Sequence, residues 1–176
     1  KSPSYLLDSQ MKECEVPKHA ENGEDMSEPV VVTEVRNRSL WIRLNRPDAM
    51  NSLTPEVLQA IDKGLDQALE STDVMTVVLT GTGRAFCAGA DLKYVRGQLG
   101  ENGTSAFLAG VLRTMSRLDR FPKPVIASLN GITLAGGLEL VLCCDLVIAA
   151  QSAKIGDAHA NYGLLPGGGG SVRLPR

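Results

Sequence analysis

Two short runs of small residues, Ala85-Phe86-Cys87-Ala88-Gly89-Ala90-Asp91-Leu92 and Ala135-Gly136-Gly137-Leu138-Glu139, hold the most evident chemistry in this chain. Each puts Ala and Gly where a strand gives way to a turn or helix, so backbone N–H groups can come close to a ligand. Two such amides converging on one carbonyl oxygen make an oxyanion hole, often the largest electrostatic contribution in acyl-group chemistry. A helix starting at Gly136 leaves that amide without an intrahelical acceptor, and the helix dipole adds positive potential. The same glycines also suit a plain strand–helix turn. Glu139 follows one helical turn later between Leu138 and Leu140, where a carboxylate is costly unless paired or functional. A capping glutamate of the first turn is the alternative. His159, one of two histidines, lies in Gly156-Asp157-Ala158-His159-Ala160-Asn161-Tyr162. Imidazoles as a class suit acid or base work near neutrality. Asp157 or Asn161 could orient the ring, and a loop histidine bonded only to backbone is the alternative.

The elements that must position these groups read as alternating strands and helices. Val30–Val35 and Leu40–Leu44 are strand-like around the turn Asn37-Arg38-Ser39, an antiparallel hairpin. Thr54 is a good N-cap, Pro55 suits the first helical position, and apolar residues from Val57 to Leu69 recur at helical spacing through Glu70. Val74–Thr80 is a β-branched run that reads as a buried parallel strand. Ser105 to Arg120 is an amphipathic helix ended by Pro122 and Pro124, with strand Val125–Leu129 after it. Gly136 to Cys144 is a short apolar helix, and Leu146–Ala150 a further strand. The order argues for an α/β layout with right-handed crossovers.

Composition bounds the rest. The chain has 176 residues, 43% hydrophobic and 22% charged, an ordinary globular balance sufficient for one core. The net charge of −2 gives no general pull toward nucleic acid or anionic membrane, and no apolar run reaches membrane-spanning length. Cys14, Cys87, Cys143 and Cys144 lack metal-ligand spacing, so no metal is expected, and free thiols fit a reducing, cytoplasmic setting. Cys87 borders the first small-residue run, but a small buried hydrophobe is the better reading than a nucleophile. Gly81-Thr82-Gly83 and Gly167–Gly170 lack the remaining residues of dinucleotide or phosphate loops and read as tight turns. Arg113, Arg117 and Arg120 make one helix face basic, read as a solvated face rather than a nucleic-acid footprint. Residues 1–28 are polar and aperiodic, a disordered or appended extension, and residues 29–176 form the core.

The segments Leu44-Asn45-Arg46-Pro47-Asp48-Ala49-Met50-Asn51-Ser52-Leu53, Ala85–Leu92, Phe121–Gly131, Ala135–Glu139 with Cys144-Asp145-Leu146, and Gly163–Gly170 together resemble the crotonase (enoyl-CoA hydratase) superfamily in order and spacing. The resemblance spans about Val30 to Arg176. It implies a spiral of ββα turns and an acyl-CoA thioester substrate whose CoA is the only cofactor. It also implies amide donors at Ala90 and Gly136, a first catalytic glutamate at Glu139, and substrate contacts at Ala49, Ala88, Gly89, Asp91, Leu92 and Gly137. Hydratases of the superfamily carry a second glutamate where this chain has His159. The superfamily continues into C-terminal helices that this chain lacks, and it assembles as homotrimers or hexamers. Reversible hydration of a 2-enoyl-CoA is the leading expectation, with Glu139 and His159 as the acid/base pair. Hydrolysis, decarboxylation or double-bond migration are the alternatives within enzymes, and a non-catalytic acyl-CoA-binding protein the alternative outside them.

Overall fold

The computed structural model describes residues 28–97 and 103–175. The expected N-terminal extension lies almost wholly outside the described residues. Strand β1 (Val31–Arg36) turns at Asn37 and Arg38, both at positive φ, into β2 (Ser39–Leu44), and the two pair antiparallel as expected. Helix α1 (Pro55–Glu70) starts where the capping residues place it, with the Thr54 hydroxyl accepting from Val57 N at 3.3 Å. Its Val57, Leu58, Ile61, Leu65 and Ala68 are buried against Leu40, Ile42 and Leu44, the inward half of β2's alternation.

From there each turn of chain contributes one strand to each of two sheets. β3 (Thr76–Gly81), β5 (Val125–Leu129) and β7 (Leu146–Ala149) join the hairpin in a five-stranded sheet of order β1-β2-β3-β5-β7. β4 (Ala85–Cys87), β6 (Ile132–Leu134) and β8 (Ile155–Gly156) form a second, three-stranded sheet in that order. Every pairing after the hairpin is parallel. The pairs β3/β4, β5/β6 and β7/β8 are successive rungs of a ββα spiral, closed by α2 (Leu92–Gly97) and α3 (Gly103–Asp119) after the first rung and α4 (Gly136–Val141) after the second. The short α5 (Gly170–Arg173) comes last.

Most boundaries differ from the sequence reading by a residue or two, and two of the shifts have a visible cause. β3 begins at Thr76 rather than Val74, because Met75 N is still committed to Arg38 O and the register with β2 opens at Ser39↔Thr76. α4 ends at Val141 rather than Cys144. Asp145 is captured by β5, its N–H donating to Val125 O and its carboxylate accepting from Val125 N at 2.7 Å, which pulls the chain off the helix axis. Cys143 and Cys144 therefore lie in a turn, not on a helix. Arg113 and Arg117 on α3 face carboxylates of α1: Arg113 reaches Asp62 at 3.5 Å, while Arg117 reaches Asp62 at 3.2 Å and Asp66 at 2.5 Å. That part of the basic face is paired within the fold. Among the described residues no helix is long and apolar enough to cross a membrane.

Candidate active site

The three strands of the second sheet run parallel, so their carboxyl ends lie along one edge, the usual place for a ligand in parallel α/β structure. β4 leads into Ala88-Gly89-Ala90, β6 into Ala135-Gly136, and β8 into Asp157–His159. Leu134 pairs with Gly156, and Ala135 N donates to Gly156 O at 3.2 Å, which stitches the second and third of these ends together.

The first two ends present backbone amides. An isolated parallel bridge joins Ala90 to Leu53 through Leu53 N to Gly89 O at 2.8 Å and Asp91 N to Leu53 O at 2.9 Å. In such a bridge the N–H of the bridged residue faces the opposite way, so Ala90 turns its amide away from Leu53. Gly136 is the first residue of α4, and its N–H has no acceptor within the helix. A methyl group placed on Gly136 would lie 3.6 Å from Ala90 N, and one placed on Gly89 3.2 Å from Gly136 N. The two backbones therefore touch, and only a small side chain fits between them. Gly89 stands at φ +104, a conformation natural to glycine alone. Ala135 stands at φ 49, ψ −120, a strained setting for a residue with a Cβ, of a kind concentrated at functional sites.

Glu139, 4% exposed, hangs from the first turn of α4. It does not cap its own helix, since Ala135 N is already bonded to Gly156 O. Its Oε1 instead accepts from Gly168 N at 2.7 Å and Gly170 N at 2.9 Å. Gly169 between them, at φ +100, makes the local chain a concave nest of amides that suits an anion. The run Gly167–Gly170 is thus more than the tight turn expected from sequence. With Oε1 fully used, Oε2 is the available oxygen, and His159 Nε2 lies 3.5 Å from it. On the far side of the ring, Nδ1 is 2.5 Å from Asp157 Oδ1, so Asp157 rather than Asn161 orients the imidazole. Its two bonds to His159, ring first and backbone N–H second, hold the Asp157 carboxyl below its usual range.

The remaining residues singled out in the sequence build the frame. Asn51, 1% exposed, accepts from Arg46 N at 2.8 Å and donates to Thr82 O at 2.9 Å and Ala85 O at 2.7 Å, tying the turn that carries Ala49 to the start of β4. Ala88 N closes the same contact on Met50 O at 3.1 Å. Asp91 is occupied within the protein on both oxygens. Oδ1 accepts from Lys93 N at 3.1 Å and Tyr94 N at 3.2 Å at the start of α2, where Leu92 is the first residue. Oδ2 takes Arg46 Nη2 at 3.0 Å and Ser52 Oγ at 3.2 Å. Gly137 packs directly on the Cys87 carbonyl. Cys87 itself is fully buried, and burial pushes its thiol up to about 12, as fits a small core residue rather than a thiolate nucleophile. Among the described residues no group of His, Cys, Asp and Glu is arranged to hold a metal ion. Sequence reasoning missed the glycine nest and the Arg46–Asp91 and Asn51 ties; only the density of Gly and the early Arg-Pro-Asp turn pointed to them.

The profile of the enoyl-CoA hydratase/isomerase family matches residues 35–176. A Bacillus subtilis (strain 168) protein named for an enoyl-CoA hydratase/isomerase, YngF, is 41% identical over 152 residues, which are 86% of this chain and 58% of that protein. Human enoyl-CoA hydratase domain-containing protein 2, mitochondrial, is 42% identical over 136 residues, 77% of this chain and 46% of that one. The crystal structure of an enoyl-CoA hydratase from Bacillus anthracis superposes with a TM-score of 0.79 at 40% identity, covering 84% of this chain and 57% of the other. A five-stranded sheet parallel beyond its hairpin and a parallel three-stranded sheet, wound as a ββα spiral, with paired amides and a buried glutamate at one edge, define a crotonase fold. The chain belongs to the enoyl-CoA hydratase/isomerase family. It spans a little under three-fifths of the length of such bacterial relatives.

Proposed function

We propose that the protein hydrates a 2-enoyl-CoA thioester, a lyase reaction that is reversible. The observation that supports this most is the approach of Glu139 Oε2 and His159 Nε2 to 3.5 Å, with Glu139 one helical turn after Gly136, whose backbone meets that of Ala90. In this reading the thioester carbonyl accepts from those two N–H groups, which favour the negative oxygen of the enolate over the neutral carbonyl. Glu139 Oε2 takes a proton from water as the water oxygen bonds the β-carbon. The π electrons move onto the carbonyl oxygen, and protonated His159 then delivers its Nε2 proton to the α-carbon. The CoA of the substrate is the only cofactor, no metal takes part, and Ala49, Ala88, Gly89, Leu92 and Gly137 border the substrate. A homotrimer or hexamer in a reducing, cytoplasmic setting, with no nucleic-acid or membrane partner, completes the reading. Three buried or half-buried free thiols, Cys87, Cys143 and Cys144, fit that setting.

A second reading, migration of the double bond, draws on the same 3.5 Å pair, because two proton-exchanging atoms on one side of the enolate could serve the α- and γ-carbons in turn. Loss of the conjugated thioester absorbance of a short-chain 2-enoyl-CoA tests hydration. Glu139→Gln and His159→Gln should each lower the turnover number by ~10²–10⁴, the usual worth of a positioned acid or base. Full activity in either variant would remove that residue from the mechanism.

A further inference from the structure

We propose that Asp157 is the positioning residue of this site: it holds the Nδ1–H of His159, so that Nε2 is the one ring atom that exchanges protons with Glu139 and the substrate. The inference rests on the acid/base reading above and extends it to a residue outside the pair. One oxygen carries the argument. Asp157 Oδ1 is 3.1 Å from His159 N and 2.5 Å from His159 Nδ1, so it holds both the backbone and the ring of the same residue. Those two anchors fix the ring about its side-chain torsions. The ring is itself only 11% exposed, whereas the Asp157 side chain, at 38%, stands on the outer side. Asn161 offers its backbone N–H to Ala158 O at 3.2 Å, a bond of the turn and not of the ring.

The tautomer follows from the acceptor. A carboxylate can only accept, and of the two that face the ring Asp157 Oδ1 stands at 2.5 Å while Glu139 Oε2, at 3.5 Å, is beyond a good hydrogen bond, so the single proton of the neutral ring belongs on Nδ1. Nε2 then faces Glu139 Oε2 across 3.5 Å with a lone pair, or with a proton when the ring is cationic. Glu139 cannot turn away, because Oε1 is held by Gly168 N and Gly170 N. The Nδ1 proton thus stays on the Asp157 side of the ring, and a second proton passes between Nε2 and Glu139 Oε2.

This closes the hydration cycle. Water loses a proton to Glu139 Oε2 while its oxygen forms the bond to the β-carbon and the π pair moves to the carbonyl oxygen. The enolate then collapses as the α-carbon takes the Nε2 proton. Glu139 is left neutral and His159 neutral with Nδ1 still protonated. Transfer from Oε2 to Nε2 across the same 3.5 Å restores both groups without outside help. A ring free to flip would present Nδ1 in place of Nε2 and break that return.

The test combines a spectroscopic and a kinetic readout on the full chain. Nitrogen-15 spectra of histidine-labelled protein, assigned by comparison with His159→Gln, should show Nδ1 of neutral His159 protonated in the parent and a tautomer mixture in Asp157→Ala. The turnover number of Asp157→Ala on a short-chain 2-enoyl-CoA should fall at least ~10-fold with KM within about twofold; Asp157→Asn, whose amide N–H can hold the other tautomer, should not recover it, and Asp157→Glu, which keeps a carboxylate acceptor, should recover part. A neutral ring protonated on Nε2 in the parent, or an unchanged turnover number in Asp157→Ala, would overturn the proposal. If the parent hydrates no enoyl-CoA, the hydratase reading fails, while the nitrogen spectra still decide whether Asp157 sets the tautomer.

Discussion

Gly137→Ala is the sharpest perturbation of the amide pair that leaves every charged group in place. An added methyl at Gly137 would stand 2.1 Å from the Cys87 carbonyl oxygen and 2.8 Å from its carbon. Both atoms are backbone, so no side chain can swing away. Restoring ordinary contact requires β4 and α4 to part by about 1 Å, a shift of the size that overpacked cores resist. Cys87 leads through Ala88 and Gly89 to Ala90, and Gly137 follows Gly136, so the separation falls on the two donor amides. A misplacement of ~1 Å costs on the order of 10²-fold in rate, and loss of one donor ~10²–10³. The strain itself should cost about 1–3 kcal/mol of stability. Turnover of a short-chain 2-enoyl-CoA and urea unfolding measure the two effects. Gly97→Ala, at a position where a methyl meets nothing within 4 Å, serves as the comparison and should leave both unchanged. A Gly137→Ala protein as stable and as active as the parent would refute the idea that this backbone contact sets the amide pair.

Other expected outcomes follow from single observations. Asp91→Ala removes the carboxylate at the start of α2 and the partner of Arg46, so unfolding should lose about 0.5–2 kcal/mol by the usual worth of such a cap. Burial pushes the Asp91 carboxyl up, but the Tyr94 N–H, Arg46 and Ser52 outweigh it and leave it below its usual range. Its stabilisation is therefore present above the ordinary carboxylate pKa and lost as pH falls through the lowered value, so acid unfolding of Asp91→Ala should show a smaller dependence on pH. Burial raises the thiols of Cys87 and Cys144 to about 12 and of Cys143 to about 11 from an ordinary 9.0. Alkylation at pH 8 should be slow until denaturant is added, and stability should decline as pH rises from about 9, where only the unfolded thiols ionise. Fast labelling of Cys87 in folded protein would contradict that burial. Gly168→Ala would place a methyl 2.4 Å from Met115 Sδ and 2.8 Å from Glu139 Oε2, so it should lower turnover by displacing Glu139. Unchanged kinetics would show that the nest tolerates filling.

What the sequence made legible was local. The hairpin, α1 with its Thr54 cap, α3 and β5 each carry enough residues for a period or a cap to show. β4, β6 and β8 have only two or three residues each, too few for alternation to register, yet they form the sheet whose edge carries the site. The spiral of ββα turns came from the resemblance and not from any pattern of hydrophobicity, and its division into two sheets is seen only in the structure. Glu139 and His159 could be named from their types and positions. Their meeting at 3.5 Å depends on β8 pairing with β6, a tertiary fact with no short-range trace. The glycine run after Pro166 gave no hint of its acceptor, because a nest of amides is defined by what fills it, and Glu139 lies 29 residues before Gly168. The salt bridge between Arg46 and Asp91, 45 residues apart, was hidden for the same reason.

The central claim is that Glu139 and His159 add water across a thioester-conjugated double bond while the Ala90 and Gly136 amides hold the enolate oxygen. The most direct measurement is mass and NMR analysis of the product formed from a short-chain 2-enoyl-CoA in deuterated water. The account expects a 3-hydroxyacyl-CoA that has gained one molecule of water, with a single deuterium at the α-carbon and its formation lost in both Glu139→Gln and His159→Gln. Free CoA, a shifted double bond without added oxygen, or unreacted substrate would contradict it.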